Sequence, residues 1–181
     1  MKAYMLLAAG FEESEAIVPL DILRRAGIDV LTVGIGSQTV ESSHGVTVEA
    51  DLDEDDVLLE DADMLILPGG MPGTVNLENS ERVKHAITCL AERGAYLCAI
   101  CAAPRILGAL GLLDGKRAVC YPGHESYLKG AILTDAKCVR DGNIITAKGA
   151  GAAYTFGFAI VDAVCGKESA DSLAKAMIYD R

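Results

Sequence analysis

A cysteine at the end of a short apolar segment is the residue of this sequence best placed to do chemistry. Residues 97–100 form an apolar run typical of a buried strand, Cys101 follows directly, and Pro104 fits the first turn of a helix, where a missing N–H costs nothing. A sharp turn from strand to helix lifts a side chain above the sheet and faces it with unpaired backbone N–H groups. Because such donors favour a thiolate over a thiol, the position suits a nucleophile.

Two other interpretations of this segment stay open. Cys101 could be a small core residue, as most free cysteines are. The Cys98-x-x-Cys101 spacing also suggests a redox pair, but in the thioredoxin-type arrangement the second cysteine lies within the helix, whereas here both precede it. Because an offset of three on a strand directs two side chains to opposite faces, we expect Cys98 to be buried and structural.

Three acidic residues follow the first predicted strand. Glu12 and Glu13 are typical of first-turn acids that complement the dipole of a helix. Glu15 lies two positions beyond Glu13, where its side chain could enter a pocket at the edge of the sheet. Burial beside a thiolate would raise the pKa of Glu15 and keep it protonated. Such a carboxyl can act as general acid and, once ionised, as general base.

A glycine-rich loop, residues 68–73, follows another apolar strand. In a parallel sheet, the loops at the carboxyl ends of the strands build the functional site. Gly69 and Gly70 therefore belong to the predicted pocket, and a glycine at position 70 lets the backbone approach a bound atom closely. The backbone N–H groups of Gly70 and Ala102 can converge on one oxygen as an oxyanion hole.

These residues need a scaffold of alternating strands and helices, and the apolar pattern predicts one. Strands are predicted at residues 4–8, 30–33, 64–67, 97–100 and 118–120, hairpins at 39–49 and 138–146, and helices at 14–26, 80–93, 104–114, 154–165 and 169–177. All-apolar strands are typical of a parallel sheet covered by helices on both faces. The sequence therefore predicts an α/β fold, a three-layer α/β/α sandwich around a mainly parallel sheet.

Length and composition limit the possible functions. The 181 residues, 51% of them hydrophobic, suit one domain spanning 1–181. A net charge of −10 argues against nucleic acid or an anionic membrane as partner. The N-terminus is not typical of a signal peptide and no apolar stretch is long enough to span a bilayer, so we expect a cytoplasmic protein. The six cysteines are expected to be reduced, and no metal site is predicted because the three histidines are widely separated.

Several short motifs occur in a characteristic order along nearly the whole chain. They are Glu12-Glu13-Ser14-Glu15, Asp21-Ile22-Leu23-Arg24-Arg25-Ala26-Gly27, Leu67-Pro68-Gly69-Gly70, Ala99-Ile100-Cys101-Ala102-Ala103-Pro104, and Asp141-Gly142-Asn143-Ile144-Ile145-Thr146 before Lys148-Gly149-Ala150-Gly151. Each is weak alone, but together they resemble the ThiJ/PfpI superfamily, in the branch of the Parkinson-disease-associated protein deglycase and its bacterial relatives. The resemblance implies a flavodoxin-like fold, similar to class I glutamine amidotransferases. It also implies an oxidation-sensitive nucleophile at Cys101, a protonated partner at Glu15, and oxyanion donors at Gly70 and Ala102.

The sequence departs from parts of this superfamily in its histidines. Protease-like and amidotransferase-like relatives place a histidine directly after the cysteine or in a late His-x-Glu motif, whereas here Ala102 follows Cys101 and no histidine lies beyond His124. The human branch has a pocket histidine where Tyr121 and Pro122 stand here. Tyr121 is expected to line the pocket by shape. His124, in the same loop, could replace the missing histidine, although a lone loop histidine is more often exposed and idle.

The resemblance implies an enzyme that acts on reactive carbonyls without a cofactor. The Cys101 thiolate would add to the aldehyde of methylglyoxal, and Glu15 would move a proton between adjacent carbons to give lactate. Deglycation of proteins or nucleotides uses the same first step, so a small carbonyl compound or a glycated protein or nucleotide is the expected partner. The alternative function is an oxidative-stress sensor or redox-controlled chaperone that uses the same cysteine. A homodimer is implied as well.

Overall fold

Strands and helices alternate along the chain in this computed structural model, which describes residues 1–181. The strands are β1 (Lys2–Ala8), β2 (Asp29–Ile35), β3 (Thr39–Glu41), β4 (Thr47–Glu49), β5 (Leu52–Asp53), β6 (Met64–Leu67), β7 (Tyr96–Ile100), β8 (Arg117–Ala118), β9 (Ile132–Leu133), β10 (Cys138–Asp141) and β11 (Ile144–Ala147). The helices are α1 (Glu13–Arg25), α2 (Gly73–Asn79), α3 (Glu81–Glu92), α4 (Pro104–Ala109), α5 (Ala153–Cys165) and α6 (Lys167–Ala176).

Seven of the strands form one sheet in the order β10-β11-β7-β6-β1-β2-β5. All neighbouring pairs are parallel except the β10–β11 hairpin, as predicted. From β1 the chain adds β2 and β5 on one side and then returns to add β6 and β7 on the other. The direction of chain growth therefore reverses between β1 and β6, and the loops after these two strands meet at the carboxyl ends of the strands, where Glu12 N–H donates to the Gly69 carbonyl at 3.0 Å.

The two faces of the sheet carry separate hydrophobic cores. In β1, Met5 and Leu7 pack into the core covered by α1, α5 and α6, whereas Tyr4 and Leu6 pack into the core covered by α3 and α4. This alternation follows from the two-residue period of a strand. The helices thus form one layer on each side of the sheet, and the predicted three-layer α/β/α architecture is confirmed.

One predicted helix and one predicted loop are corrected by the structure. The helix after Cys101 ends at Ala109 rather than near residue 114, because Gly111 adopts a left-handed conformation (φ 73°) and Leu112 N–H donates back to the Leu107 carbonyl. The glycine-rich loop also ends earlier than expected, since Gly73 already starts α2. Pro72 precedes that helix, so the proline and glycine that suggested an extended loop mark a helix start instead.

The predicted strand at residues 118–120 is only partly correct. The structure has a two-residue strand, β8, which pairs with β9 in a separate small sheet rather than in the main one. The segment still joins the main sheet laterally, because Val119 N–H donates to the Thr146 hydroxyl at 3.0 Å. The loop that follows β8 therefore lies beside the carboxyl ends of β7 and β11.

The other predicted elements agree closely with the structure, whereas α2, β5 and β9 were not predicted. Ser80 caps α3 by accepting a hydrogen bond from Val83 N–H, and α5 ends where Gly166 begins. Both predicted hairpins form, as β3–β4 and β10–β11. No helix of the structure has the length and apolar character needed to cross a membrane.

Candidate active site

Cys101 occupies a sharp backbone turn directly after β7. Its φ of 65° lies in the left-handed region, which non-glycine residues rarely adopt, so the backbone is strained at this residue. Two hydrogen bonds hold the turn: Cys101 N–H donates to the Ala147 carbonyl at 2.9 Å, and the Cys101 carbonyl accepts from Tyr121 N–H at 2.8 Å. Pro104 begins α4 three residues later. The predicted strand-to-helix elbow is therefore present, with the thiol half-buried.

The left-handed turn also changes the relation between the two nearby cysteines. Cys98 is fully buried within β7, as expected. The expectation that the two thiols point to opposite faces is wrong, since both cysteines pack against the core on the α1 and α5 side. The strand alternation ends at Ile100, and the turn brings Cys101 back toward the same side.

Glu15 is a buried acid in the first turn of α1. It is 1% exposed, although it belongs to a surface helix with a charged start. Glu12 caps this helix and accepts a hydrogen bond from Glu15 N–H at 2.8 Å, so the predicted role of Glu12 at the helix start is present. The Glu15 side chain leaves the helix toward the loop after β6, where Gly69 N–H donates to its Oε2 at 3.0 Å.

Gly69 lies between the acid and the thiol. A Cβ atom at this position would stand 2.5 Å from Glu15 Oε2 and 2.6 Å from the Cys101 Cβ, closer than real Cβ contacts allow. Any side chain at position 69 would therefore force these two groups apart. Because glycine has no side chain, the loop after β6 can bring Glu15 and Cys101 together.

The two groups affect each other's ionisation in opposite directions: Cys101 makes ionisation of Glu15 easier, whereas Glu15 makes ionisation of Cys101 harder. Burial raises the pKa of Glu15 to about 7, against smaller lowering effects from Cys101 and Gly69. The pKa of Cys101 is raised to about 12, first by burial and then by the negative charge of Glu15 and the hydrogen bond between the two side chains. The pair therefore holds a single negative charge around and above neutral pH. An ionised cysteine here requires a proton on Glu15.

The predicted backbone donors do face the thiol. Hydrogen bonds from the N–H groups of Gly70 and Ala102 lower the pKa of Cys101, as the sequence suggests. Burial and Glu15 raise this pKa by more than the two donors lower it. The expectation that the backbone donors favour the thiolate is therefore corrected. Gly70 has a φ of 89°, and a Cβ atom there would stand 2.3 Å from Glu12 N. The donors are thus fixed by close packing of the loops after β1 and β6.

Tyr121 and Gly149 form the wall of the site on its open side. A Cβ atom at Gly149 would stand 3.2 Å from Tyr121 Cδ2 and 3.9 Å from Glu15 Oε1, so Gly149 separates the tyrosine ring from the acid. Tyr121 is half exposed and lines a cavity of about 400 Å³. The sequence identified a glycine-rich loop at residues 149–151 but not its place beside Glu15, so Gly149 was missed as a site residue.

A model of the DJ-1/PfpI family matches residues 1–163 of the chain, which include every site residue described above. The chain belongs to the DJ-1/PfpI family. It is 35% identical to Protein dj-1beta of Drosophila melanogaster over 179 residues, covering 97% of this chain and 96% of that protein. The crystal structure of Drosophila DJ-1beta superposes on it with a TM-score of 0.94 at 34% identity and full coverage of both chains.

Two further DJ-1/PfpI relatives carry names that state an activity. A deglycase from Pyrococcus abyssi is 34% identical over 159 residues, covering 86% of this chain and 95% of that protein. A glutathione-independent glyoxalase from Caenorhabditis elegans is 32% identical over 167 residues, covering 92% of this chain and 89% of that protein. The chain is thus similar over most of its length to family members named for carbonyl chemistry.

His124 lies outside the pair of reactive groups in this family member. Its ring meets those of Tyr121 and Tyr127, with centroids 6.3 and 5.9 Å away, and its Nδ1 is buried without a hydrogen-bond partner. It forms no hydrogen bond with Cys101 or Glu15, and it is absent from the causes that shift their pKa values. The structure therefore places His124 against the rings of Tyr121 and Tyr127 rather than beside the Cys101 thiol.

One group of side chains has the composition of a cation site. Atoms of Glu12, Glu13 and His44 lie within 4.8 Å of one another, because the β3–β4 hairpin brings His44 to the start of α1. The sequence did not reveal this proximity, since the residues are far apart along the chain. Their polar atoms already have partners: Glu12 accepts from Ser14 Oγ, and His44 Nδ1 lies 3.0 Å from Glu13. The group does not include the thiol.

Proposed function

We propose that the chain is a cysteine-dependent enzyme that converts reactive 2-oxoaldehydes such as methylglyoxal to 2-hydroxy acids without glutathione or a cofactor. The observation that carries this proposal is the contact at Gly69, which brings a buried proton donor against a nucleophile held in a strained turn. The relatives named deglycase and glutathione-independent glyoxalase support the same class of substrate.

In the first step, the Glu15 carboxylate takes the proton of the Cys101 thiol, the resulting thiolate attacks the aldehyde carbon, and a C–S bond forms. The carbonyl oxygen takes up the negative charge, and the N–H groups of Gly70 and Ala102, which already face the sulfur, stabilise it. Glu15 then gives its proton to this oxygen, so the product is a neutral hemithioacetal beside an ionised carboxylate. Because the pKa of Glu15 is about 7, the acid can change its protonation state during the cycle at little cost.

In the second step, the Glu15 carboxylate removes the proton from the carbon bound to sulfur. The electrons move to the neighbouring ketone, Glu15 returns the proton to that carbon, and the hydroxyl proton of the hemithioacetal passes to the former ketone oxygen, which leaves a 2-hydroxy thioester on Cys101. Water then hydrolyses the thioester and releases the 2-hydroxy acid and the free thiol. The sequence is balanced without an external oxidant or reductant, since one carbon is oxidised while its neighbour is reduced.

Deglycation of proteins or nucleotides is part of the same proposal. An adduct of a 2-oxoaldehyde with an amine can release the aldehyde to Cys101, after which the same steps follow.

We also propose a homodimer, supported by the exposed apolar side chains of Ile17 on α1 and Tyr154 on α5, two helices that pack side by side. Sedimentation equilibrium of the wild type and of Ile17→Glu tests this assembly, and an unchanged mass would contradict the role of Ile17.

A redox sensor or redox-controlled chaperone is the second candidate. The observation that favours it is the same half-buried thiol beside a carboxyl that holds a proton near neutral pH. Oxidation of Cys101 by peroxide to a sulfinate would place a new negative oxygen beside Glu15, which could donate a hydrogen bond to it. This function requires accumulation of the oxidised cysteine rather than turnover.

The deciding experiment measures lactate formed from methylglyoxal in the absence of glutathione. We expect turnover by the wild type, none by Cys101→Ser, and wild-type turnover by Cys89→Ser, a matched control on α3 outside the site. A wild type that forms no lactate but accumulates sulfinate at Cys101 under dilute peroxide would support the sensor and overturn the enzyme.

A further inference from the structure

A cavity beside the reactive pair has a charge unlike that of the rest of the molecule. The cavity measures about 400 Å³, and its charged lining residues are two lysines, Lys137 and Lys148, with no acid among them. The remaining lining residues are uncharged and come from two segments, Tyr121 with Pro122 and the loop at residues 149–152. The whole chain carries a net charge of −10, so a basic cavity stands out against an acidic surface.

The cavity opens next to the groups proposed to react. Tyr121, which forms one wall, is joined to Cys101 through the hydrogen bond from its N–H to the Cys101 carbonyl. Gly149, on the other wall, lies between Tyr121 and the Oε1 atom of Glu15. Cys101 and Glu15 do not line the cavity themselves, so a molecule bound there reaches the thiol only by extending past Tyr121 and Gly149.

The positive charge of the cavity is only partly neutralised. Lys148 Nζ pairs with Asp135 at 2.5 Å, but the Asp135 side chain is 98% exposed, so solvent screens this pair. Lys137 forms no ion pair. Its carbonyl accepts from Lys148 N–H at 2.9 Å, which holds the two residues side by side. The Lys137 ammonium group therefore has no ion-pair partner, and Lys137 lines both this cavity and a neighbouring one that includes Asp180 and Arg181.

The size of the cavity also argues for a substrate larger than methylglyoxal. A volume of this order falls in the range of sites that hold drug-sized ligands, whereas methylglyoxal has only five non-hydrogen atoms. The half-exposed ring of Tyr121 and the ring of Pro122 offer an apolar surface in the same cavity as the lysines. A planar or apolar group fits that surface, with an anion beyond it.

We propose that the preferred substrate carries an anionic group, a carboxylate or a phosphate, at the end remote from its 2-oxoaldehyde, and that Lys137 and Lys148 bind this group. The inference rests on the proposed function for the reactive end of the substrate. The lysines determine specificity, and the chemistry at Cys101 and Glu15 is unchanged by them.

The first test measures binding without turnover, through protection of Cys101 from iodoacetamide. Benzoate and phenylphosphonate are unreactive probes with an apolar ring and an anion, and benzamide is their neutral counterpart. We expect both anions to slow alkylation of the wild type at concentrations where benzamide does not, and the stronger of the two identifies carboxylate or phosphate as the better ligand. Lys137→Gln/Lys148→Gln should lose this protection, whereas Lys116→Gln/Lys175→Gln, with the same change in net charge, should keep it. Equal protection by benzamide would overturn the proposal.

The second test compares initial rates on 4-carboxyphenylglyoxal and phenylglyoxal, which share the reactive group and differ in charge. Exposed ion pairs of this kind are worth a factor of about two to five each, so the double lysine variant should lose kcat/KM on the carboxylated substrate by a factor on the order of ten. Its kcat/KM on phenylglyoxal should stay within about twofold. An equal loss on both substrates would show that the lysines only support the fold, and would overturn the proposal.

The two tests separate this inference from the proposed function. If neither aldehyde is turned over but the anions still protect Cys101 through the two lysines, the anion site stands and the proposed reaction fails. If phenylglyoxal is turned over but no anion protects and charge does not matter, the reaction stands and the anion site fails.

Discussion

Cys98 and Cys101 lie three residues apart and differ in backbone conformation, in exposure and in the groups beside the sulfur, although burial raises the pKa of both thiols. Cys98 is fully buried in the middle of β7, and burial raises its pKa far above the ordinary range. Cys101 lies just beyond the strand in a left-handed turn, half-buried, with two backbone donors and a carboxyl beside it. The comparison shows that residue type and spacing do not make the site. One backbone turn and the loops that converge on it do.

The largest expected difference is between removing one thiol and removing the other. Cys101→Ala should reduce methylglyoxal turnover by more than a factor of about 10³, since the nucleophile is lost. Cys98→Ala should leave turnover within about threefold and cost about 1–2 kcal/mol of unfolding free energy through a small cavity. Turnover assays and urea unfolding of both variants check this prediction. A large loss of activity in Cys98→Ala without unfolding would contradict the predicted difference between the two thiols.

Glu15 gives the next largest effect, because Cys101 has this acid as a partner and Cys98 does not. Glu15→Gln keeps the size and a hydrogen-bond donor but cannot exchange a proton, so turnover should fall by a factor on the order of 10² to 10⁴. Initial rates of lactate formation measure it, and retained alkylation of Cys101 by iodoacetamide controls for folding. If Glu15→Gln turned over methylglyoxal at the wild-type rate, Glu15 would have no role in proton transfer and would act only at the start of α1.

The same acid should make stability depend on pH, which the buried Cys98 does not do over this range. The pKa of Glu15 rises from an ordinary 4.5 to about 7 in the folded protein, so between these values the folded state binds more protons than the unfolded state. Stability attributable to this group therefore falls as pH rises through that window, by about 3 kcal/mol in total. Relative to wild type, Glu15→Gln should gain stability from pH 4.5 to 7. Urea unfolding at several pH values measures this, and Cys98→Ala, with a loss independent of pH, is the control.

The smallest effect is expected at His124, which lies near the site but contacts neither thiol. His124→Ala should leave methylglyoxal turnover within about threefold, because its ring packs on Tyr121 and Tyr127 and makes no hydrogen bond with Cys101. Steady-state kinetics of the variant are sufficient as a test. A loss of two or more decades would assign proton transfer to a cysteine–histidine pair instead.

The sequence predicts the parts of this site that depend on local pattern. The elbow at Cys101 follows from an apolar strand running into Pro104, and the layers follow from strands that are apolar throughout. The burial of Glu15 was predicted from its place at the end of β1, and the structure shows it. These features can be predicted from the sequence because each depends on a few neighbouring residues and on the general geometry of parallel sheets.

What the sequence does not reveal depends on contacts between distant segments. Gly149 reaches Glu15 only once β11 and β1 share a sheet, and His44 reaches Glu13 only through a folded hairpin. The small β8–β9 sheet is missed because two-residue strands have no periodicity to detect. The balance of the thiol pKa is missed for the same reason, since burial is a property of the whole fold.

The two hydrogen bonds that hold the Cys101 turn also bear on how the protein is made. Their partners, Tyr121 and Ala147, lie 20 and 46 residues further along the chain. During synthesis from the N-terminus, the cysteine therefore emerges well before the segments that hold its backbone in the left-handed conformation. We expect its reactivity to appear late, with the docking of β11. An incomplete chain on the ribosome then presents a cysteine without the constrained backbone turn of the folded site.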